Sequence, residues 1–230
     1  MTTFIKWAVT LAMPFMLAFF MIGIAIKPWY PKWEYAKANF PADTFGWSQA
    51  QRLELGTVAV EFLRSKGSAE DTIHMLGDQT MPDSNQSLYT DAELGHMFDV
   101  KVRTNAIRRL AKVLAVIVVG GITFLLYNEE TASEAYRSIR NGGLATFAIL
   151  GIFALMIGLF WNWFFTTFHE VLFPQGNWTF AYSDSLIRLF PEKFWIDVGV
   201  VIVGGTLIAG TLIALIGHLL LRGAGLKQRA

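Results

Sequence analysis

Four histidines, His74, His96, His169 and His218, are the side chains of this sequence best suited to proton transfer near neutral pH. Cysteine is absent, which removes disulfides, cysteine-zinc sites and thiol nucleophiles together. His96 stands in the run Glu93-Leu94-Gly95-His96-Met97-Phe98-Asp99-Val100. On a helix, Glu93, His96 and Asp99 recur every three residues and share a face. A carboxylate one turn away can fix an imidazole's tautomer and raise its basicity. His169 stands in Phe168-His169-Glu170-Val171-Leu172-Phe173-Pro174, followed by Gln175-Gly176-Asn177-Trp178 and by Ser185-Leu186-Ile187-Arg188-Leu189-Phe190. Apolar anchors alternate there with isolated polar groups, as an interfacial segment needs when its polar groups face a site. Two chemistries are open to such a set. One is joint acid–base work by His96 and His169. The other is a metal held by His96, His169, Glu93, Asp99 and Glu170. Only Glu93 and His96 match a metal-ligand spacing, and no His-x-x-x-His pair exists, so no metal and no cofactor is expected. His218, near Arg222, is simplest as a cation at the end of a helix, and His74 falls in the outer loop domain.

The elements that position these residues are membrane helices. Hydrophobic residues make up 53% of the 230, charged residues 16%, and mean hydropathy is +0.42. An ordinary soluble domain carries about 25% charged residues. A net charge of +1, from 19 Lys+Arg and 18 Asp+Glu, argues against a nucleic-acid partner. Crossing a bilayer takes about 20 mostly apolar residues. Runs over 5–27, 143–165 and 196–221 qualify directly. A weaker run over 106–127 admits Arg108, Arg109 and Lys112 at its start, whose long stems can snorkel. The first run is too long for the apolar core of a cleaved signal peptide.

Four spans place both termini on one side and segments 28–105 and 166–195 together on the other. His96 and His169 therefore share a side whichever way the bundle is oriented. Lys6, Arg137, Arg140, Arg222, Lys227 and Arg229 fall with the termini and the 128–142 loop, against Arg188 and Lys193 in the short opposite loop. The excess places the termini in the cytoplasm, although Arg108, Arg109 and Lys112 count against it. Trp29, Tyr30, Trp33, Trp161, Trp163 and Trp195 fall near the outer interface, where amphipathic rings settle. Gly120-Gly121, Gly204-Gly205, and the pairs Gly205/Ala209 and Gly210/Ala214 supply small surfaces for close helix packing.

Segment 28–105 is far longer than a connector requires. An extended start through Pro28, Pro31 and Pro41 gives way to a helix over 47–64, with Leu55, Val58, Phe62 and Leu63 near one face. Ser68-Ala69-Glu70-Asp71 and Thr90-Asp91-Ala92-Glu93 have capping-box form. The second opens a helix that can run into the second span. The expected fold is an all-α integral membrane protein: four transmembrane helices with a small helical extracytoplasmic domain from the first outer loop, a second outer loop over 166–195 and a tail over 222–230.

These residues carry a resemblance. Glu93-Leu-Gly-His-Met-Phe-Asp-Val100 resembles one block of the lipoprotein intramolecular transacylase (Lit) family of four-helix bacterial membrane proteins. Phe168-His169-x-x-Leu-Phe173, Gly176-Asn-Trp178, Leu186-Ile-Arg-Leu-Phe-Pro191 and Phe194-Trp195 are similar to a second block. The resemblance implies a membrane acyltransferase acting on a diacylated bacterial lipoprotein among membrane lipids. The sn-2 acyl chain of the diacylglyceryl-Cys would move to the α-amino group of the same Cys, giving an N-acyl lyso-form. It also implies catalytic roles for His96 and His169; Glu93, Asp99, Arg188 and Trp178 are the candidate supporting or substrate-binding residues beside them. His169 would serve the α-amine as base, and His96 would protonate the leaving glyceryl oxygen or polarise the carbonyl, with the roles open to exchange. Asp99 or Glu93 would orient His96. Arg188 would face the developing oxyanion or a phosphate headgroup. A bend near Thr104–Asn105, or an outer domain that dips into the headgroups, would bring His96, about 15 Å up a straight helix from Ala106, toward the interface. The competing readings are a nonenzymatic membrane protein whose outer domain binds a protein partner, and a small transporter. The second conflicts with the near absence of intramembrane charge.

Overall fold

The computed structural model describes residues 1–227, the last two by their backbone only, so Arg229 and the end of the tail lie outside the described residues. The described residues form ten helices: α1 (Thr2–Ala25), α2 (Trp29–Tyr35), α3 (Gln49–Arg64), α4 (Ala69–Thr72), α5 (His74–Gly77), α6 (Asp91–Tyr127), α7 (Glu129–Leu159), α8 (Trp161–Leu172), α9 (Ser185–Leu189) and α10 (Glu192–Lys227). Among the described residues there is no strand, and one isolated bridge joins Thr80 and Ser87. Four helices, α1, α6, α7 and α10, are long and apolar enough to cross a membrane. The chain is an all-α integral membrane protein.

The described residues divide into two compact units, one of residues 1–22, 107–159 and 200–227, the other of 23–106 and 160–199. In the first, Val9, Ala12, Met13, Leu17 and Val118 form a buried cluster joined by Leu114, Ile122, Ala209 and Ile213. Small residues set the closest approaches. A Cβ on Gly143 would lie 2.5 Å from Ala214 N and Gly210 O, and one on Gly217 would lie 2.4 Å from Arg140 N. α7 and α10 therefore touch backbone to backbone, as small residues permit in lipid. Gly121 and Gly205 meet Val9 and Met21 of α1, whereas Gly120 and Gly204 face open space.

Several elements extend or differ from the sequence expectation. The weak second span is the C-terminal part of a 37-residue helix, roughly 55 Å long, well beyond the ~30 Å hydrocarbon core. α6 is helical throughout, with no interruption at Thr104–Asn105. Segment 128–142, expected as a loop, is the start of α7. Its Glu, Ala and Arg residues are strong helix formers, Asn128 alone makes the turn, and Ala135 and Ser138 are buried. The third spanning helix does not continue to 165: Phe160 leaves the helical region (φ −135°, ψ 43°), and α8 begins afresh.

The second unit combines the first outer segment with residues 160–199. The start at Pro28 is a helix rather than extended chain, because proline suits a helix's first turn. Both capping boxes form, at Ser68/Asp71 and Thr90/Glu93. The buried face of α3 is Arg52, Gly56, Ala59, Val60 and Phe62, rotated from the Leu55/Val58 stripe. The rotation accommodates a buried cation: Arg52 donates to Arg188 O (2.8 Å) and Pro41 O (2.7 Å) with Tyr35 and Phe40 rings beside it. Lys101, also fully buried, donates to Phe62 O, Ser65 O and Ser65 Oγ, and so caps the carboxyl end of α3 from α6.

Candidate active site

The site grows from the N-terminal end of α6. Glu93 is buried and fully occupied: one oxygen accepts from Thr90 N (2.8 Å) and Thr90 Oγ1 (3.0 Å), the other from Leu186 N (2.7 Å) at the start of α9. One carboxylate thus satisfies two helix N-termini. One turn on, His96 is 8% exposed, and Asp99 lies a further turn along. α8 supplies His169 from an amphipathic helix with no buried residue, its Trp163, Phe168 and Val171 exposed.

The two imidazoles, 73 residues apart in the chain, face each other with ring centroids 6.2 Å apart and planes 25° from parallel. Aromatic rings wall them in. Phe173 lies 4.8 Å from His96 and 5.7 Å from His169, Phe180 lies 5.5 Å from His96, and Phe165 and Trp178 lie 4.1 and 5.1 Å from His169. His169 Nδ1 donates to Phe165 O at 2.7 Å, one turn back on α8. That bond fixes the neutral tautomer and leaves Nε2 as the lone-pair nitrogen. His96 Nδ1 is buried without a partner. Both rings lie outside the apolar stretches of the spanning helices, His96 eleven residues ahead of 107. Burial pushes both below the ordinary histidine range. His96 falls to about 4, with the His169 ring adding to the effect and the Asp99 charge opposing it. His169 also falls, against the opposing hydrogen bond to Phe165. At neutral pH both rings are uncharged, and an uncharged imidazole can accept a proton.

Asp99 and Arg103, one turn apart on α6, anchor the C-terminal end of α8 and the 173–178 loop. Arg103 Nε donates to Leu172 O (3.0 Å), an open carbonyl at the end of α8, and its guanidinium lies 5.5 Å from the Phe173 ring centre. Asp99 receives Arg103 Nη1 at 3.4 Å, Gln175 Nε2, and Asn177 Nδ2 at 2.9 Å. The loop bearing Phe173 and Trp178 is therefore bound to the helix bearing His96. Among the described residues, no cluster of three or more His, Cys, Asp or Glu side chains could hold a metal ion.

The family model described as "Lipoprotein intramolecular transacylase Lit" matches residues 7–195, most of the chain. The chain belongs to the Lit family. A relative from Aquifex aeolicus (strain VF5), described as uncharacterized, is 32% identical over 200 residues, covering 86% of this chain and 82% of its own. Among solved structures, the Bacillus cereus lipoprotein intramolecular transacylase Lit, described as membrane integral and determined in meso, matches with a TM-score of 0.65 at 19% identity, covering 100% of this chain and 98% of its own. A variant of that protein with one histidine replaced by arginine matches with a TM-score of 0.61 at 17% identity, over 99% and 95%. At family level this chain is a lipoprotein intramolecular transacylase, a membrane enzyme with a lipoprotein substrate.

Within this Lit-family chain, His96, His169 and Trp178 come together, and the other candidates fall elsewhere. Glu93 does not reach His96, because its oxygens are bound at the two helix starts. Asp99 does not contact the ring either, because Arg103, Gln175 and Asn177 occupy its oxygens. Arg188 is buried in a two-bond ion pair with Asp43 (3.1 and 2.8 Å), with the Trp47 ring centre 3.2 Å away. Burial alone would raise Asp43, yet bonds from Arg188 and Trp47 N and the charges of Arg188 and Arg52 hold its carboxyl below the usual range. Arg188 thus joins the 41–47 loop to α9. Sequence reasoning missed Arg103, Gln175 and the rings of Phe165, Phe173 and Phe180. The recurrence of aromatic residues from 160 to 180 was the available signal.

Proposed function

We propose that this chain transfers the sn-2 acyl chain of a diacylglyceryl-Cys lipoprotein to the α-amino group of the same Cys, giving the N-acyl lyso-form. The reading rests on one observation: two imidazoles face each other inside an aromatic wall, one of them carried by an amphipathic helix. An α-amine titrates near 8 and arrives mostly as ammonium. One ring takes a proton from the ammonium nitrogen, freeing the amine. The amine nitrogen attacks the sn-2 carbonyl carbon while the other ring removes its second displaced proton. The carbon–oxygen ester bond breaks as the carbon–nitrogen amide bond forms, and the leaving glyceryl oxygen takes one proton back from an imidazolium. The fixed Nε2 lone pair of His169 suits it to the base role, leaving His96 as donor to the glyceryl oxygen. Donor and acceptor share one molecule, so positioning supplies much of the rate.

The cationic residues Lys6, Arg137, Arg140 and Arg222 favour cytoplasmic termini and a site at the extracytoplasmic interface. Mass spectrometry of lipoprotein N-termini, with His96→Ala and His169→Ala expressed separately, tests the reading. Each variant is expected to abolish the N-acyl lyso product while remaining folded in the membrane. Normal product from both would replace the enzyme reading with that of a nonenzymatic partner.

A further inference from the structure

An open trough lies at the N-terminal end of α6. Its cavity of about 380 Å³ runs between residues 87–91 and 183–185, with Ser87, Thr90, Asp91, Glu93, Ser183 and Asp184 in its lining. That volume falls in the ~300–1,000 Å³ range of ligand sites. Two bonds hold the walls together: Ser185 Oγ donates to Leu88 O, and Leu186 N donates to Glu93 at 2.7 Å. The trough is therefore built before a ligand arrives, which lowers the cost of binding. Its lining carries three carboxylates and no Lys, Arg or His, so it suits hydrogen-bond donors and cations. Asp91 stands exposed at the start of α6, and Asp184 is half-buried ahead of α9. The position along α6 gives the trough a purpose. Thr90, Glu93 and His96 recur every three residues and share a face. Along the axis, Glu93 lies roughly 4.5 Å and Thr90 roughly 9 Å from His96. Both lie on the side of His96 away from the apolar stretch of the helix.

We propose that this trough is the polypeptide subsite: it takes the first three residues after the lipidated Cys, and its carboxylates favour Lys or Arg over Asp or Glu at those positions. The inference rests on the reading of His96 as a residue of the reacting centre. A lipoprotein is held at one end by its acyl chains, so its polypeptide has to leave the centre on the side away from lipid. An extended chain advances roughly 3.3–3.6 Å per residue. The first to third residues after the Cys therefore fall roughly 3 to 11 Å from it, the interval over which Glu93 and Thr90 follow His96. Hydroxyls and carboxylates along the walls are acceptors for the main-chain N–H groups that such a segment presents. Asp91 and Asp184 add a negative field that an acidic segment would oppose.

Synthetic S-diacylglyceryl-Cys lipopeptides test the subsite with the full-length protein in nonionic micelles. One peptide continues after the Cys as Gly-Lys-Lys, a second as Gly-Glu-Glu, and a third ends at the Cys as its amide. The basic peptide is expected to exceed the acidic one in kcat/KM on the order of 3- to 30-fold at low salt, mainly through KM, for two added charge contacts. The difference should shrink as salt is added, and the amide should be slower than the basic peptide. Asp91→Asn combined with Asp184→Asn removes both charges while keeping acceptor oxygens, and is expected to bring the basic-to-acidic ratio close to one. Equal kcat/KM for all three peptides in the wild-type protein would overturn the proposal, as would a ratio that the double variant leaves intact. A lipopeptide carrying a benzophenone side chain two residues after the Cys needs neither turnover nor a variant that folds. It is expected to crosslink within 87–91 or 183–185, and crosslinks confined to other segments would overturn the proposal. A wild-type protein that crosslinks there yet makes no N-acyl lyso product from any peptide would keep the subsite and remove the functional reading.

Discussion

Replacing Arg188 distinguishes a scaffold cation from an oxyanion donor, because the two roles predict losses in different quantities. The guanidinium and the Asp43 carboxylate are 7% and 2% exposed, bonded at 3.1 and 2.8 Å. Arg188→Met leaves the Asp43 carboxylate buried and unpaired. Breaking such a pair costs about 3–5 kcal/mol, a large share of the stability of a typical fold. Asp43→Asn leaves the converse orphan, moderated by the Trp47 ring beside the guanidinium and by the bond that Trp47 N makes to Asp43. The double variant should recover about 1–3 kcal/mol relative to the sum of the singles, since the residues are in direct contact. An oxyanion donor behaves otherwise: its removal costs about 10²–10³ in kcat and little stability.

Unfolding by SDS in mixed micelles reads the first quantity. The rate of N-acyl lyso product per folded molecule, followed by mass spectrometry, reads the second. The expected pattern is a loss of at least ~3 kcal/mol in Arg188→Met, a non-additive cycle with Asp43→Asn, and a rate per folded molecule near wild type. An Arg188→Met protein that keeps its stability to within ~1 kcal/mol while losing about 10²-fold in kcat would refute the scaffold role, because that is the cost of a lost transition-state donor.

Two further outcomes are expected from the same geometry. Burial lowers both imidazoles, so each charged form is disfavoured in the folded protein and the neutral base persists into mildly acid solution. The acid limb of a kcat/KM profile should lie below the ordinary histidine value near 6.5, and a limb at or above that value would contradict the burial of the two rings. Gly143→Val drives a Cβ to 2.5 Å from two backbone atoms of α10 that cannot turn aside, so thermal unfolding in detergent should show a loss of at least 1–3 kcal/mol. Gly120→Ala, facing open space, should match the parent or exceed it by up to about 1 kcal/mol.

The membrane class was legible because it depends on long, uninterrupted composition. The two capping boxes were legible because their bonds are local, between residues three apart. The pairing of His96 with His169 was reached by counting spans and by family likeness. Neither a span count nor a likeness contains a distance, and the 6.2 Å separation depends on how α8 is held. The break at Phe160 was invisible because the apolar run continues through it; a hydropathy pattern does not distinguish one long apolar helix from two that meet at a break. Arg188 and Glu93 have partners that the sequence does not show, for one reason. A charged residue near a motif looks available in the sequence, but its partners, Asp43 at a separation of 145 residues and Leu186 N at 93, are supplied only by the fold. Arg52 and Lys101 show the same effect in packing: each is a cation on a buried helix face, satisfied by carbonyl oxygens that no periodicity records.

Uncharged imidazoles look poorly suited to proton delivery, and the proton inventory of the proposed reaction resolves this. The substrate amine enters as ammonium and brings the proton that the glyceryl oxygen will need, so the enzyme need not store one. A ring held neutral by burial is ready to accept that proton, and a proton placed on a ring of low affinity is readily released to an alkoxide. The aromatic wall serves both ends of this exchange. It excludes the water that would otherwise hydrolyse the ester, and it lowers the basicity of the rings until each holds a proton only in passing. A charged group supplying permanent hydrogen bonds at this point would trap the proton on the ring. The Asp99 carboxylate, one turn along α6 from His96, is engaged by Arg103, Gln175 and Asn177 and does not hold the proton on the ring.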